Sequence, residues 1–222
     1  GATSFNQPVS FNTIKVKRMG GMFAGATSFN NTINFTNTSQ VVDMTRMFAN
    51  ATAFNKAVSG WNASNVTDMS GMFSGATSFN STVSFAGNLF KVTDMSEMFK
   101  GATSFNQNIN YSTTKVTDMS EMFYGATSFD QNLNGFQIPS VTNMNNVLFN
   151  SGISCENLSI TLTSWKMQAQ NHNRNNVMFG SLSRTQTYDD QGRDAIAALK
   201  ARGWFVNGGT YAPGCLPLTA WF

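Results

Sequence analysis

This sequence has few of the residues that carry enzyme chemistry. Its 222 residues include one histidine, two cysteines and 11% charged residues. Motifs for nucleophilic, phosphate-binding or zinc chemistry, such as GxSxG, a Walker loop or HExxH, do not occur. The histidine, His172, lies in a polar stretch, where a lone histidine is typically exposed, and a metal site needs more Cys or His than are present. We therefore expect no catalytic residue, no cofactor and no metal, and a protein that is not an enzyme.

Clustered charge and long apolar runs are also scarce. The formal net charge is +3, and no basic cluster is longer than Lys15-Val16-Lys17-Arg18, so the basic stripe of a nucleic-acid-binding protein is missing. No run approaches the roughly 18 apolar residues of a membrane span, and no charged-then-apolar leader opens the chain. With 41% apolar residues the chain should nonetheless fold.

A repeat of about 25 residues fills the first two thirds of the chain. Each unit contains a segment like VTDMSxMF, called the MF segment here, followed by a segment like GATSF, called the GATSF segment. The phenylalanine of the MF segment recurs at intervals of 24 to 26 residues, at Phe23, Phe48, Phe73, Phe99, Phe123 and Phe149. The phenylalanine of the GATSF segment recurs at Phe5, Phe29, Phe54, Phe79, Phe105 and Phe129.

Two periodicities within the unit predict its local structure. In VTDMSGMF, Val66, Met69 and Phe73 fall on one face of a short helical or 3₁₀ turn. In FNSTVSF, Phe79, Val83 and Phe85 alternate as in a short strand. A unit this small cannot close a core alone, so neighbouring units must stack into a repeat solenoid with one short parallel strand and one helical turn per coil.

Stacking turns every consensus position into a column. Methionine and phenylalanine columns point inward and form the predicted core, with these members: Met69, Met72, Phe73, Phe79, Met95, Met98, Phe99, Phe105, Met119, Met122, Phe123 and Phe129. An asparagine column predicts a hydrogen-bonded ladder between coils, formed by Asn6, Asn30, Asn55, Asn80 and Asn106, with Asp130 as its last member.

Two polar columns have more than one interpretation. Asp43, Asp68, Asp94 and Asp118 lie at the start of each MF turn, where they can accept backbone N–H groups, although a calcium-binding ladder is the alternative. Threonine precedes serine in almost every GATSF segment, which favours backbone capping, with ice binding through a Thr/Ser face as the alternative.

The repeat stops after Phe149. Ser151-Gly152-Ile153-Ser154-Cys155 replaces GATSF and places Cys155 in the phenylalanine column. We expect residues 1–155 to form the solenoid of about six repeats and residues 156–222 to form an α+β cap. Cys155 and Cys215 are a candidate disulfide of that cap, with a pair of buried thiols as the alternative. Since Gly1 begins inside a repeat, we expect either upstream repeats or contact with another molecule at that end.

Nine Asn-x-Ser/Thr sequons are candidate N-glycosylation sites. They lie at Asn30, Asn34, Asn37, Asn50, Asn62, Asn65, Asn80, Asn110 and Asn157.

The repeated VTDMSxMFxGATSFNQ, as in Val92 to Phe105 and Val116 to Gln131, resembles the BspA-like surface-protein repeat of mycoplasma lipoproteins, other bacteria and some protists and algae. The segment from Asn176 through Ala195 to Trp204 is similar to the tail that closes such arrays. The resemblance implies a leucine-rich-repeat-like solenoid on an extracellular or cell-surface protein that acts in adhesion or partner binding, with no catalytic residues.

Two functions therefore lead. One is an adhesion or protein-interaction scaffold whose partner choice depends on residues that fail to repeat, such as Lys100 against Tyr124. The other is a structural subunit of an extracellular filament or layer, whose partners are further copies of itself joined end to end. Ice binding is third.

Overall fold

A computed structural model describes residues 1–86, 89–109 and 111–215. Four short strands lie in the repeats: β1 (Val9–Phe11), β2 (Ile33–Phe35), β3 (Val58–Asn62) and β4 (Val83–Ala86). The rest of the secondary structure follows the repeats: α1 (Cys155–Asn171), β5 (Met178–Tyr188), α2 (Asp190–Ala201) and β6 (Phe205–Tyr211).

Backbone hydrogen bonds join each MF segment to the next one along the chain. Met44 donates to the carbonyl of Asp68 at 3.0 Å, Arg46 to Ser70 at 2.8 Å and Phe48 to Met72 at 2.8 Å. The same pattern recurs in the following repeats, and parallel bridges connect the aspartate positions in a row that runs from Arg18 to Asn143 and then to Met178 of β5. Each repeat therefore lies directly on its neighbour.

The MF segment consists of successive tight turns. Met72 donates to Met69 at 3.2 Å and Ser74 to Gly71 at 3.0 Å, which are bonds to the third preceding residue. Gly71 and Gly75 have φ of +61° and +70°, in the left-handed region that glycine enters without steric cost. The segment thus differs from the predicted helical turn, since a left-handed residue within it prevents a continuous helix.

The repeat strands pair in two parallel sets, β1 with β2 and β3 with β4. The strand predicted to begin at Phe79 begins at Val83 instead, and Phe79 closes a turn by donating to Ala76 at 3.0 Å. Between residues 105 and 139, the described positions contain no strand. A strand was predicted in every coil. Among the described residues, strands form at the first four of these positions and not at the later ones.

Phenylalanine rings fill the interior of the stack. Within one repeat, the rings of Phe99 and Phe105 lie 4.0 Å apart between centroids, and Phe99 lies 5.7 Å from Phe123 of the next repeat. The planes are within 10° of parallel in both pairs. Such displaced stacking adds to the free energy gained from burial, so the two phenylalanine columns form one continuous aromatic core.

The prediction that Cys155 occupies the phenylalanine column is wrong. Ile153 lies in that position, 24 residues after Phe129, with 5% of its surface exposed. Ser154 donates its N–H to the Asp130 carboxylate at 2.7 Å, as Asp130 does to the Asn106 amide at 2.9 Å. The asparagine ladder therefore fixes the register of the last repeat, and Cys155 becomes the first residue of α1 because Ser154 caps that helix.

Helix α1 and strand β5 lie where a further repeat would lie. Leu133 donates its N–H to the Thr161 hydroxyl at 2.9 Å, and Met144 donates its N–H to the Met178 carbonyl at 2.7 Å. Parallel strand β6 pairs with β5, and α2 packs against α1. Among the described residues, no helix is long and apolar enough to cross a membrane.

Candidate functional site

The residues predicted for the core columns are inside the stack. All twelve, from Met69 to Phe129, have 0% of their surface exposed. Their sulfur and aromatic groups are therefore occupied by packing, and a partner that distinguishes one repeat from another must contact exposed residues that differ between repeats.

One side of the stack carries a strip of such residues, which we call the variable strip: Arg46, Glu97, Lys100, Glu121, Tyr124 and Phe149. They occupy two positions of the repeat, the residue before the MF pair and the residue after it. The prediction that Phe149 is the phenylalanine of the last MF segment is wrong. Phe123 donates to the Val147 carbonyl as Phe99 does to that of Met122, so buried Leu148 takes the phenylalanine column and Phe149 follows it. Because the MF segments are stacked by backbone hydrogen bonds, side chains from different repeats are brought side by side.

Opposite charges alternate along the variable strip. The Lys100 ammonium lies 2.5 Å from the Glu121 carboxylate and 3.6 Å from that of Glu97. On the other side of Glu97, the Arg46 guanidinium lies at 3.8 Å. Arg46 reaches Glu97 across the intervening repeat because that repeat has Gly71, where a Cβ atom would lie 3.0 Å from the Arg46 Cγ.

The hydrogen bond to Glu121 is the largest cause that raises the pKa of Lys100 above its ordinary value. The ammonium also lies 5.6 Å from the centre of the Tyr124 ring, a cation–π distance. Tyr124 in turn stacks on Phe149 at 5.3 Å. Aromatic rings and cations thus adjoin at one end of the strip, the composition that protein interfaces favour.

Three members of the strip have an unusual backbone conformation. Arg46, Glu97 and Glu121 have φ of +51°, +56° and +54°, which costs a side-chain-bearing residue free energy relative to glycine. Sequence reasoning missed both this conformation and the charge network. The signal was present, because Gly21 and Gly71 occupy the same column.

The aspartate column caps turns. The Asp94 carboxylate accepts from the Ser96 N–H at 2.8 Å and from the Ser96 hydroxyl at 2.7 Å. Each of the other three aspartates also accepts from the backbone N–H two residues further along the chain. At one end of the row Arg18 lies 3.8 Å from Asp43, and at the other Asn143 donates to Asp118 at 2.9 Å. Within the described part of the chain, no group of three or more acidic, His or Cys side chains is arranged to hold a metal.

The asparagine ladder joins successive repeats through side chains. The Asn6 amide oxygen accepts from the Asn30 N–H at 2.9 Å, Asn30 from Asn55 at 3.0 Å, and Asn55 from Asn80 at 2.9 Å. Asn106 continues it by donating to Asn80 at 2.9 Å. The amide groups therefore serve the fold.

The threonines of the GATSF segments are exposed except for half-buried Thr52, and their hydroxyls face the backbone of the preceding repeat. Thr27 donates to the Thr3 carbonyl at 3.3 Å, and Thr103 to the Thr77 carbonyl at 3.4 Å. A hydroxyl held in this way has fewer sites left to order water, which weakens the case for ice binding.

Cys155 and Cys215 form a disulfide with their Cα atoms 5.9 Å apart. His172 is exposed at the C-terminal cap of α1, where its backbone N–H donates to the carbonyls of Gln168 and Gln170.

The sequons differ in accessibility. Asn34, Asn37, Asn50 and Asn80 are exposed, whereas Asn30, Asn62, Asn65 and Asn157 are half-buried. Asn65 and Asn157 also donate their amide groups, to the carbonyls of Ser39 and Asp130. Asn110 lies outside the described residues.

The sequence model of a family described as "Mycoplasma protein of unknown function, DUF285" matches residues 1–87 and 85–190. Neither a curated protein nor a solved structure matches the chain significantly.

Proposed function

We propose that this chain, which belongs to the mycoplasma protein family DUF285, is a non-enzymatic adhesion or protein-interaction scaffold at a cell surface or outside the cell. Two observations support the proposed location. The Cys155–Cys215 disulfide suits an oxidising environment, and the repeat resembles that of BspA-like surface proteins.

The proposed architecture of the scaffold is a leucine-rich-repeat-like solenoid over residues 1–155 with a cap over 156–222. Its support is the spacing of the hydrogen bonds. Backbone donors and acceptors such as Gly71 and Ser96 are 25 residues apart in the chain yet 2.7 Å apart in space. A stack of this kind holds side chains from several repeats at fixed separations and so provides a rigid surface for a partner.

The observation that carries the proposed function is the variable strip. Its charged residues pair at exposed or half-buried positions, where an ion pair contributes little to stability. The fold therefore gains little from the charge of Lys100, whereas a protein partner with complementary charges and an aromatic contact would benefit from Lys100 and Tyr124.

Bead adhesion tests this function. Beads coated with the chain are expected to adhere to cells, and treating the cells with protease should abolish adhesion if the partner is a protein. The double variant Lys100→Ala/Tyr124→Ala should reduce adhesion by about fivefold or more, since interface hot spots cost over 1 kcal/mol on truncation. Lys56→Ala/Phe90→Ala, which alters an exposed lysine and an exposed aromatic residue elsewhere, is the matched control. Equal adhesion of the two variants would contradict the proposal.

End-to-end assembly into a filament is the second candidate, and strand β6 supports it. β6 pairs with β5 on one side and with no other strand in the described chain, and 51% of the Phe205 surface is exposed on it. Exposed strand edges favour pairing with another copy. Negative-stain microscopy at rising protein concentration should then show filaments, which Phe205→Lys disperses. A chain that remains monomeric at the highest concentration would argue against this candidate.

A further inference from the structure

Two repeats contain an inserted glycine on their strand side. In four of the strand positions the aromatic residue follows the first apolar residue by two, as in Val9 and Phe11. In the other two the spacing is three, because Gly60 precedes Trp61 and Gly135 precedes Phe136. The insertions are separated by three repeats.

The first insertion interrupts the strand ladder. Gly60 has φ of +76°, and the pairing of β3 with β4 shifts register between Ser59 and Asn62. On its other side β3 is not paired with β2. A Cβ atom at Gly60 would have no other atom within 4 Å, so the insertion leaves open space above the strands.

A shallow cavity of about 320 Å³, largely open to solvent, occupies this position. Half-buried Phe35 contributes aromatic surface, and Trp61, only 5% exposed, supports it with ring centroids 5.1 Å apart. Asn34, Ser10 and Ser59 are exposed at the same cavity and supply an amide and two hydroxyl groups. None of the residues lining it is charged.

The second insertion has a smaller cavity that is amide-rich and has no aromatic residue among its lining residues. It has a volume of about 260 Å³ and is lined by Gly135, Ile109 and the amide side chains of Asn108, Asn132 and Asn134. Its lining is also uncharged. The two cavities are three coils apart, which is roughly 14 Å at the usual spacing of neighbouring strands.

We propose that these two cavities are subsites for one neutral polysaccharide chain lying along the strand side. A pyranose ring combines an apolar C–H face with a rim of hydroxyls. At the first cavity the apolar face packs on Phe35 and the hydroxyls bond to Asn34 and the serines, and at the second the hydroxyls bond to the asparagine amides. A charged ligand would find no counter-ion at either cavity. This function is independent of the variable strip, which lies on the MF segments.

Calorimetric titration tests the proposal. The full chain is produced in a host without N-glycosylation, because Asn34-Phe35-Thr36 is a sequon. The probes are β-1,4-linked di- and hexasaccharides of glucose, N-acetylglucosamine and mannose, with hexagalacturonate as the acidic comparison. At least one neutral hexasaccharide should bind about tenfold more tightly than its disaccharide, since it engages both subsites.

Variants separate the subsites from the rest of the surface. Asn34→Ala should weaken hexasaccharide binding by about threefold or more through loss of a hydrogen bond, and Asn134→Ala should remove the preference for the longer ligand. Asn207→Ala, in exposed β6 outside both cavities, is the matched control. The proposal is overturned if no neutral hexasaccharide binds at millimolar concentration, if the acidic probe binds equally well, or if both cavity variants bind like the control. Unchanged melting temperatures establish that each variant is folded.

Discussion

Gln168 of α1 donates its side-chain N–H to the backbone carbonyl of Phe136 at 2.8 Å. The same amide group accepts from the backbone N–H of Ile138 at 2.9 Å through its oxygen. In the middle of the stack, backbone groups of this kind are bonded by the neighbouring repeat. One glutamine side chain therefore replaces two backbone contacts where the repeats end, and it does so from a helix.

Replacing this glutamine should destabilise the end of the stack. Gln168→Leu leaves a donor and an acceptor without partners in a half-buried place, which should lower the free energy of unfolding by about 1 to 3 kcal/mol. Urea denaturation measures the change. Gln170→Leu, at an exposed position of the same helix, should have little effect. Equal losses in the two variants would show that the Gln168 amide is not needed.

The left-handed conformation of Arg46 predicts an unusual order of stability. Arg46→Gly should be more stable than Arg46→Ala by about 1 kcal/mol, because glycine adopts φ of +51° without a Cβ penalty. At Ser74, which is not among the residues with positive φ, the order should reverse and alanine should be preferred. Thermal unfolding of the four variants measures both differences, and the same order at both positions would refute the explanation.

A buried ring should matter far more than an exposed one of the same type. Phe99 has 0% of its surface exposed and stacks on rings of its own and neighbouring repeats, whereas Phe11 has 55% exposed. Phe99→Ala should cost about 3 to 5 kcal/mol, through loss of burial and a remaining cavity, and Phe11→Ala should cost much less. Comparable losses in denaturation experiments would mean that the aromatic columns are not the source of stability.

Sequence periodicity predicted which residues are buried at the positions that repeat. It failed to predict the backbone conformation at positions where that conformation depends on the neighbouring repeat. The Met and Phe columns follow from a constant interval, since identical residues one coil apart must meet. The left-handed backbone of Glu97 was missed because glutamate gives no local signal for it, although glycine in the same column does. Gly60 is visible as a change in spacing, but its effect depends on the strands on both sides.

The C-terminal region shows a different limit. The amphipathic pattern of Leu162, Trp165 and Ala169 predicts a helix, and all three are fully buried in α1. The hydrogen bonds of Gln168 and Thr161 to the last repeat have no such pattern, because they depend on how the helix is placed. The same reason explains the misplacement of Cys155, because the sequence gives no sign that Ser154 donates to Asp130 and continues the ladder.

The disulfide should stabilise the C-terminal region. It closes a loop across 60 residues of sequence, and a crosslink of this kind typically contributes about 2 to 4 kcal/mol. Reduction should lower the melting temperature and increase hydrogen exchange in α1 more than in the repeats. The double variant Cys155→Ala/Cys215→Ala should resemble the reduced protein and should not respond to reductant. Equal melting temperatures of oxidised and reduced protein would contradict this expectation.

Asp130 should make stability depend on pH at the end of the asparagine ladder. Burial alone would raise the pKa of this carboxyl, but hydrogen bonds from Asn157 and Ser154 favour the ionised form and hold the pKa below its ordinary value of 3.8. A lowered pKa in the folded state stabilises the protein above the unfolded value, and this contribution is lost as the pH falls through the folded value. Asp130→Asn restores the residue of the other repeats and removes the charge. The unfolding free energy of the native chain relative to Asp130→Asn should therefore be constant near neutral pH and decline below 3.8, as measured by urea denaturation. A difference that stays constant in acid would show that these bonds do not favour the carboxylate.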